Sequence, residues 1–98
     1  MIKRYSKAEA LRIIHEILKG GILFFTSHFE DSMGSRNIQM QDIIYVLKNG
    51  KITREPERNP KTGNWIYNVE GKTLEDENLT IPVDIDEEQT MIRLLTIF

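Results

Sequence analysis

The chain has 98 residues, 40% hydrophobic and 29% charged, values typical of one globular domain spanning residues 1–98. It contains no cysteine, which excludes disulfides, a thiolate nucleophile and a cysteine-ligated zinc site. No apolar run is long enough to cross a membrane, so we expect a cytoplasmic protein without a membrane partner. The net charge is −2, but residues 1–63 carry +4 and residues 64–98 carry −6, which favours the N-terminal half for any contact with nucleic acid.

The first predicted element is an amphipathic helix. Ser6 and Glu9 have the spacing of a capping box, and Gly20-Gly21 is a typical helix stop. Apolar residues recur between them at helical spacing. His15 lies off this apolar stripe, so we expect it to be an exposed surface residue. The short apolar run 22–25 then predicts a brief strand or an extended link.

The second predicted helix carries the most informative polar residues of the chain. Ser27 and Glu30 again form a capping-box pattern, which predicts a helix from about His28 to residues 34–37. His28, Ser32 and Arg36 are four residues apart and share one face of this helix. An imidazole and a guanidinium on one stripe suit acid–base or phosphate chemistry, although an ordinary polar helix surface has the same composition.

A third helix is predicted over 39–48, with the Asn49-Gly50 pair as its stop, and the pattern then changes to that of strands. The predicted strands are 51–55, 64–70, 79–85 and 90–98, with a turn over 56–63 and a hairpin over 86–89. The last strand is apolar on both faces, which is typical of a covered strand. The sequence therefore predicts an α+β fold with two or three N-terminal helices on a three- to four-stranded antiparallel sheet.

Two clusters in the second half have structural and functional interpretations. The acidic residues Asp84, Asp86, Glu87 and Glu88 lack calcium-loop spacing and are predicted to form a solvated hairpin tip, so we expect no metal and no cofactor. Trp65 and Tyr67 share a strand face. Trp65 is expected in the core, whereas the polar end of Tyr67 is expected at the edge of a site.

The order of these motifs resembles the bacterial domain-of-unknown-function family 4258 over residues 22–98. The residues that match the family pattern run along the second helix, the third helix and the later strands. They are Ser27-His28, Met33, Arg36 with Ile38, Asn49-Gly50, Trp65, Tyr67, Gly71 and Thr96. Two positions depart from the pattern, because Ser32 stands where the first arginine is expected and Asn37 replaces a glycine.

The family in turn resembles the small toxins of the BrnT, MqsR and RelE kind, which are compact α+β proteins. This likeness implies metal-independent cleavage of RNA and neutralisation by a cognate antitoxin. The architecture alone does not fix the function. The leading hypothesis is therefore a toxin-like endoribonuclease of a type II toxin–antitoxin system, and the alternative is a non-catalytic binding module that acts through a protein partner.

Each candidate residue has a role under the ribonuclease hypothesis. His28 supplies the base or acid, because an imidazole titrates near neutrality, and Arg36 binds the phosphate in a bidentate manner. Tyr67 orients the substrate or donates a proton. Lys51 and Arg54 extend a basic track for the RNA. The oligomeric state and the RNA target stay open.

Overall fold

The structure is a computed structural model that describes residues 3–98. Within this range three helices precede most of a five-stranded sheet. The elements are α1 (Lys7–Gly20), β1 (Ile22–Phe25), α2 (Ser27–Arg36), α3 (Met40–Asn49), β2 (Glu57–Arg58), β3 (Trp65–Lys72), β4 (Asn78–Asp86) and β5 (Met91–Leu94). The predicted α+β class is confirmed, with three helices packed against a single sheet.

The sheet differs from the prediction in strand number and direction. Its order is β1-β5-β4-β3-β2, and β1 runs parallel to β5 while the other pairs are antiparallel. The run 22–25 is thus an edge strand rather than a link. The prediction of a continuous strand over 51–55 was wrong, because in this segment Lys51 alone forms an isolated bridge, to Glu70. Strand β2 instead lies in the segment that was predicted as a turn.

The core lies between the helices and one face of the sheet. Alternate residues of β4 and β5 point toward the helices, and the predicted apolar stripes of α1 and α3 cover them. Side chains with no exposed surface include Ile14, Phe29, Ile43, Leu47, Ile81, Val83, Ile92 and Leu94. Each such side chain stabilises the fold by about 1.5–3 kcal/mol through burial, so these residues decide how the sheet and helices pack.

Thr26 lies between β1 and α2 and contacts the end of β5, and it is the helix cap that the sequence assigned to Ser27. Its Oγ1 accepts a hydrogen bond from the Phe29 amide at 3.1 Å, so Thr26 rather than Ser27 is the N-cap of α2. The same hydroxyl lies 3.0 Å from the Leu94 carbonyl and 3.1 Å from the Leu95 carbonyl, to which it donates. The sequence pattern failed here because both Thr26 and Ser27 are good cap residues.

The hydroxyl of Thr26 also completes the sheet beside a proline. The Leu95 amide donates to the Pro82 carbonyl at 3.0 Å, but Pro82 has no N–H to return a bond to the Leu95 carbonyl. Thr26 supplies the missing donor. Beyond this point the chain pairs Phe98 with Thr80 through two hydrogen bonds of 2.9 Å, one residue out of register with the β4–β5 ladder. The segment 95–98 therefore contains a β-bulge.

The two glycines of the motif let α3 end against β3. A Cβ atom at Gly50 would lie 2.6 Å from the Glu70 carbonyl oxygen, and one at Gly71 would lie 3.1 Å from the Cα of Gly50. A real Cβ atom does not fit at 2.6 Å, so close approach requires glycine at position 50, and a Cβ atom at position 71 would force the Gly50 backbone to shift. The contact brings Lys51 alongside Glu70, where their backbones exchange two hydrogen bonds of 2.8 Å.

Candidate functional site

Helix α2 presents the predicted polar stripe to solvent. His28 and Arg36 are exposed, and Ser32 between them is half-buried. The adjoining face of the helix buries Phe29, whose ring lies 5.5 Å from that of Phe25. Because Phe29 holds α2 against the core, the orientation of the stripe is set by packing rather than by its own polar contacts.

The middle of the stripe contacts the segment after β5. The Ser32 hydroxyl lies 3.2 Å from the Thr96 hydroxyl and 3.0 Å from the His28 carbonyl, to which it donates. Residues four apart on a helix have Cβ atoms about 5–6 Å apart, so His28 stands one turn from this hydroxyl pair. The structure thus brings Thr96 beside Ser32 and one helical turn from His28, although 64 positions separate Ser32 from Thr96 in the sequence.

The far end of the stripe is held by the turn before β4. A terminal nitrogen of Arg36 lies 3.3 Å from a carboxylate oxygen of Glu77, and the two side chains are 34% and 47% exposed. An ion pair this exposed is worth about 0–1 kcal/mol, so a phosphate can displace it at small cost. Asn37 follows with φ 55°, in the left-handed region where the family pattern has glycine. Asparagine tolerates this conformation, which explains the second departure from the pattern.

Tyr67 lies in the core and not beside His28. It is 1% exposed, its hydroxyl accepts a hydrogen bond of 2.8 Å from the Tyr5 amide, and burial raises the pKa of its phenol. The assignment of Tyr67 to a site edge relied on its polar end, and that end is taken by the chain before α1, a contact that no sequence pattern signals.

Lys51 lies at the close approach of α3 to β3, and Arg54 lies near it beside Glu70. Arg54 forms an ion pair of 3.2 Å with Glu70, which also accepts a hydrogen bond of 3.1 Å from Thr53. Lys51 forms no ion pair with any residue in the range 3–98 and lines a groove of about 550 Å³. Of the two residues of the predicted basic track, Lys51 is therefore the one without an ion pair among residues 3–98.

Two other sequence interpretations change. Asp84 is 3% exposed rather than part of a solvated tip, since its Oδ1 lies 2.8 Å from Arg93 Nε on the sheet face opposite the helices. His15 is half-buried beside Leu18 and Lys48, not fully exposed.

Glu87 and Glu88 are exposed as expected, although Glu87 accepts a hydrogen bond from the Tyr5 hydroxyl.

The described residues also bear on metals and membranes. Among residues 3–98, no three or more histidine or acidic side chains are grouped so as to hold a metal ion. None of the helices in that range combines the length and apolar character that a bilayer span requires.

Comparison with known families supports the resemblance read from the motifs. Residues 25–98 match the family described as Domain of unknown function (DUF4258). The chain belongs to this family. No curated protein and no solved structure matches the chain. Within the DUF4258 match lie α2, α3 and the strands β2 to β5, so the motif residues of α2 and Thr96 both fall inside it.

Proposed function

We propose that this DUF4258 protein is a metal-independent endoribonuclease of toxin–antitoxin type, acting in the cytoplasm. One observation carries the proposal: His28 and Arg36 lie on a single exposed stripe of α2, with the Ser32–Thr96 hydroxyl pair between them. A proton acceptor, a phosphate-binding guanidinium and neutral donors at this spacing are the groups that RNA cleavage without a metal requires.

The proposed reaction is an internal transfer of the phosphoryl group. The imidazole of His28 takes the proton of a ribose 2′-hydroxyl, whose oxygen then attacks the adjacent phosphorus. The bond to the 5′-oxygen breaks, and that oxygen takes a proton from water, leaving a 2′,3′-cyclic phosphate and a 5′-hydroxyl. Arg36 binds the non-bridging oxygens after Glu77 is displaced, and the Thr96 hydroxyl donates to the same charge while Ser32 keeps its hydrogen bond to the His28 carbonyl.

Cleavage of a mixed RNA pool in excess EDTA tests the proposal. His28→Ala is expected to lower the rate by about 10²–10⁴, the usual contribution of a general acid or base. Glu30→Ala is the matched control, since Glu30 is exposed on the other side of α2, and it is expected to cleave like the wild type. Intact RNA at high concentrations of folded wild type, or equal rates for wild type and His28→Ala, would contradict the assignment.

A second candidate function, a binding module that acts through a protein partner, is favoured by the edge strand β1. The amides of Ile22 and Thr26 donate to the carbonyls of Thr90 and Leu94, so by alternation Leu23 and Phe25 direct their backbone groups away from β5. Within residues 3–98 no strand pairs with that edge, and the adjacent side chains of Ile22 and Phe24 are 51% and 49% exposed. An extended segment of a partner, such as an antitoxin, would pair with this edge.

Induction in cells separates the two candidates. A toxin is expected to arrest growth, and co-expression of the protein encoded by a small adjacent gene is expected to relieve the arrest. His28→Ala should abolish arrest without weakening binding to that neighbour. Phe24→Glu should weaken binding to the neighbour. A binding module instead predicts no arrest from the wild type alone and the same sensitivity of binding to Phe24→Glu.

A further inference from the structure

The groove beside Lys51 is a cavity that the α2 site does not use. It measures about 550 Å³, within the range of ligand sites, and lies where the end of α3 meets β3 and the start of β4. Its lining includes an aromatic ring, two lysines and several neutral polar side chains. These residues are Tyr45, Lys51, Lys72, Asn49, Asn78 and Thr80.

The electrostatics of the groove favour an anion. Glu70 is the one carboxylate among the described lining residues, and Arg54 and Thr53 occupy it. Lys72 lies 3.4 Å from Asp76, but both side chains are more than half exposed, so the pair is weak. Lys51 has no ion-pair partner within residues 3–98. The groove therefore holds two lysines against one acid, which is paired with Arg54.

Tyr45 gives the groove a surface for a flat ring. It is 40% exposed on α3, and the Asn49 side-chain amide donates to its carbonyl at 3.0 Å, which ties both residues to the last turn of the helix. An aromatic ring beside a lysine in an open groove is the arrangement with which proteins bind unpaired bases and the phosphates between them.

Two lining residues of the groove adjoin residues near the α2 stripe. Asn78, which lines the groove, directly follows Glu77, the partner of Arg36. Thr80, also in the lining, pairs with Phe98, two residues after Thr96. The start of β4 thus links the groove to the partner of Arg36.

We infer that this groove binds a nucleotide of single-stranded RNA, with its base stacked on Tyr45 and its phosphate at Lys51, next to the nucleotide held on α2. The inference deepens the proposed ribonuclease function and rests on it for the identity of the nucleic acid. Arg54 forms its ion pair with Glu70 in this arrangement and does not contact the RNA.

Binding of a short fluorescent single-stranded RNA to the His28→Ala protein tests the groove without cleaving the probe. Tyr45→Ala is expected to weaken binding about five- to a hundred-fold, the usual loss of one stacked base, whereas Tyr45→Phe keeps the ring and stays within about two-fold. Lys51→Ala is expected to reduce the slope of log affinity against log salt by about 0.7, the value for one phosphate of a single strand. Lys61→Ala, at an exposed turn position, is the charge-matched control.

The outcomes separate this inference from the catalytic proposal. Tyr45- and Lys51-dependent binding supports the groove even when the wild type leaves RNA intact, in which case the ribonuclease proposal alone fails. Folded Tyr45→Ala and Lys51→Ala proteins that bind like the Lys61→Ala control overturn the groove, as does absence of binding. Equal affinity for polyglutamate, with the same dependence on Tyr45, reassigns the groove to acidic peptides and also overturns it.

Discussion

The hydroxyls of Ser32 and Thr96 lie 3.2 Å apart and connect the middle of α2 to the last residues of the chain. Ser32 stands where the family pattern has an arginine, so this contact replaces a charged position by a neutral pair. The segment that carries Thr96 is bulged, and α2 itself is attached chiefly through Phe29 and Thr26. The hydroxyl pair is therefore a direct link between the stripe and the sheet.

A double-mutant cycle on this pair is expected to give a coupling free energy of about 0.5–1.5 kcal/mol, the net value of a hydrogen bond. Ser32→Ala and Thr96→Val each remove one hydroxyl, and chemical denaturation measures the free energy of unfolding. The Ser35→Ala and Thr96→Val pair is the control, since Ser35 bonds to the Ser32 carbonyl and not to Thr96. Coupling below 0.3 kcal/mol for Ser32 with Thr96 would show that the two hydroxyls do not interact in solution.

Thr26→Ala is expected to lower the free energy of unfolding by about 1–2 kcal/mol. The substitution removes the cap of the Phe29 amide and also the donor that serves the Leu95 carbonyl opposite Pro82. Thr26→Ser keeps the hydroxyl and should recover most of the loss. Ser27→Ala, at the neighbouring exposed position, should change the denaturation midpoint little; a larger effect at Ser27 than at Thr26 would move the cap back to Ser27.

The helices were predictable from sequence because each depends on local spacing and a local stop. Asn49-Gly50 ends α3 as expected, and the shared face of His28 and Arg36 follows from four-residue spacing alone. The parallel pairing of β1 with β5 was not predictable, since four apolar residues at an edge carry no signal of a partner near the other end of the chain. Three side-chain contacts were likewise not predictable, because no local pattern signals a partner distant in sequence. They are Thr96 with Ser32, Glu77 with Arg36 and Tyr67 with Tyr5.

Glu77→Gln is expected to free the Arg36 guanidinium and to tighten binding of RNA about two- to five-fold. The exposed ion pair contributes about 0–1 kcal/mol, so the stability of the fold should hardly change while competition with the phosphate is lost. Glu75→Gln is the matched control, because it removes the same charge from the same turn without touching Arg36. Equal affinity of Glu77→Gln and Glu75→Gln proteins for a labelled RNA would show that Glu77 does not compete.

Arg36→Lys separates charge from geometry at the same position. Lysine keeps the positive charge but lacks the planar fork that binds two phosphate oxygens, so partial activity is expected, above that of Arg36→Ala. The measurement is the rate of RNA cleavage by the wild type, Arg36→Lys and Arg36→Ala. Circular dichroism checks that each protein is folded. Full activity for Arg36→Lys would mean that charge alone suffices.

Asp84 gives the fold a pH dependence of defined sign. Burial raises the pKa of its carboxyl above the ordinary value of 3.8, although the charge of Arg93 and the hydrogen bond from Asn64 oppose the shift. Burial is the largest of these effects, and the charge of Asp86 acts in the same direction. The folded protein therefore binds this proton more tightly than the unfolded chain does.

The stability that comes from protonated Asp84 is complete below pH 3.8 and is lost as the pH rises from 3.8 through the higher pKa of the folded state. The unfolding free energy of the wild type minus that of Asp84→Asn should therefore decrease across this window. Asp31→Asn, at an exposed position on α2, removes the same charge and corrects for the general effect of net charge. Urea denaturation at a series of pH values measures the difference, and an increase with pH would mean that the Arg93 ion pair, not burial, dominates at Asp84.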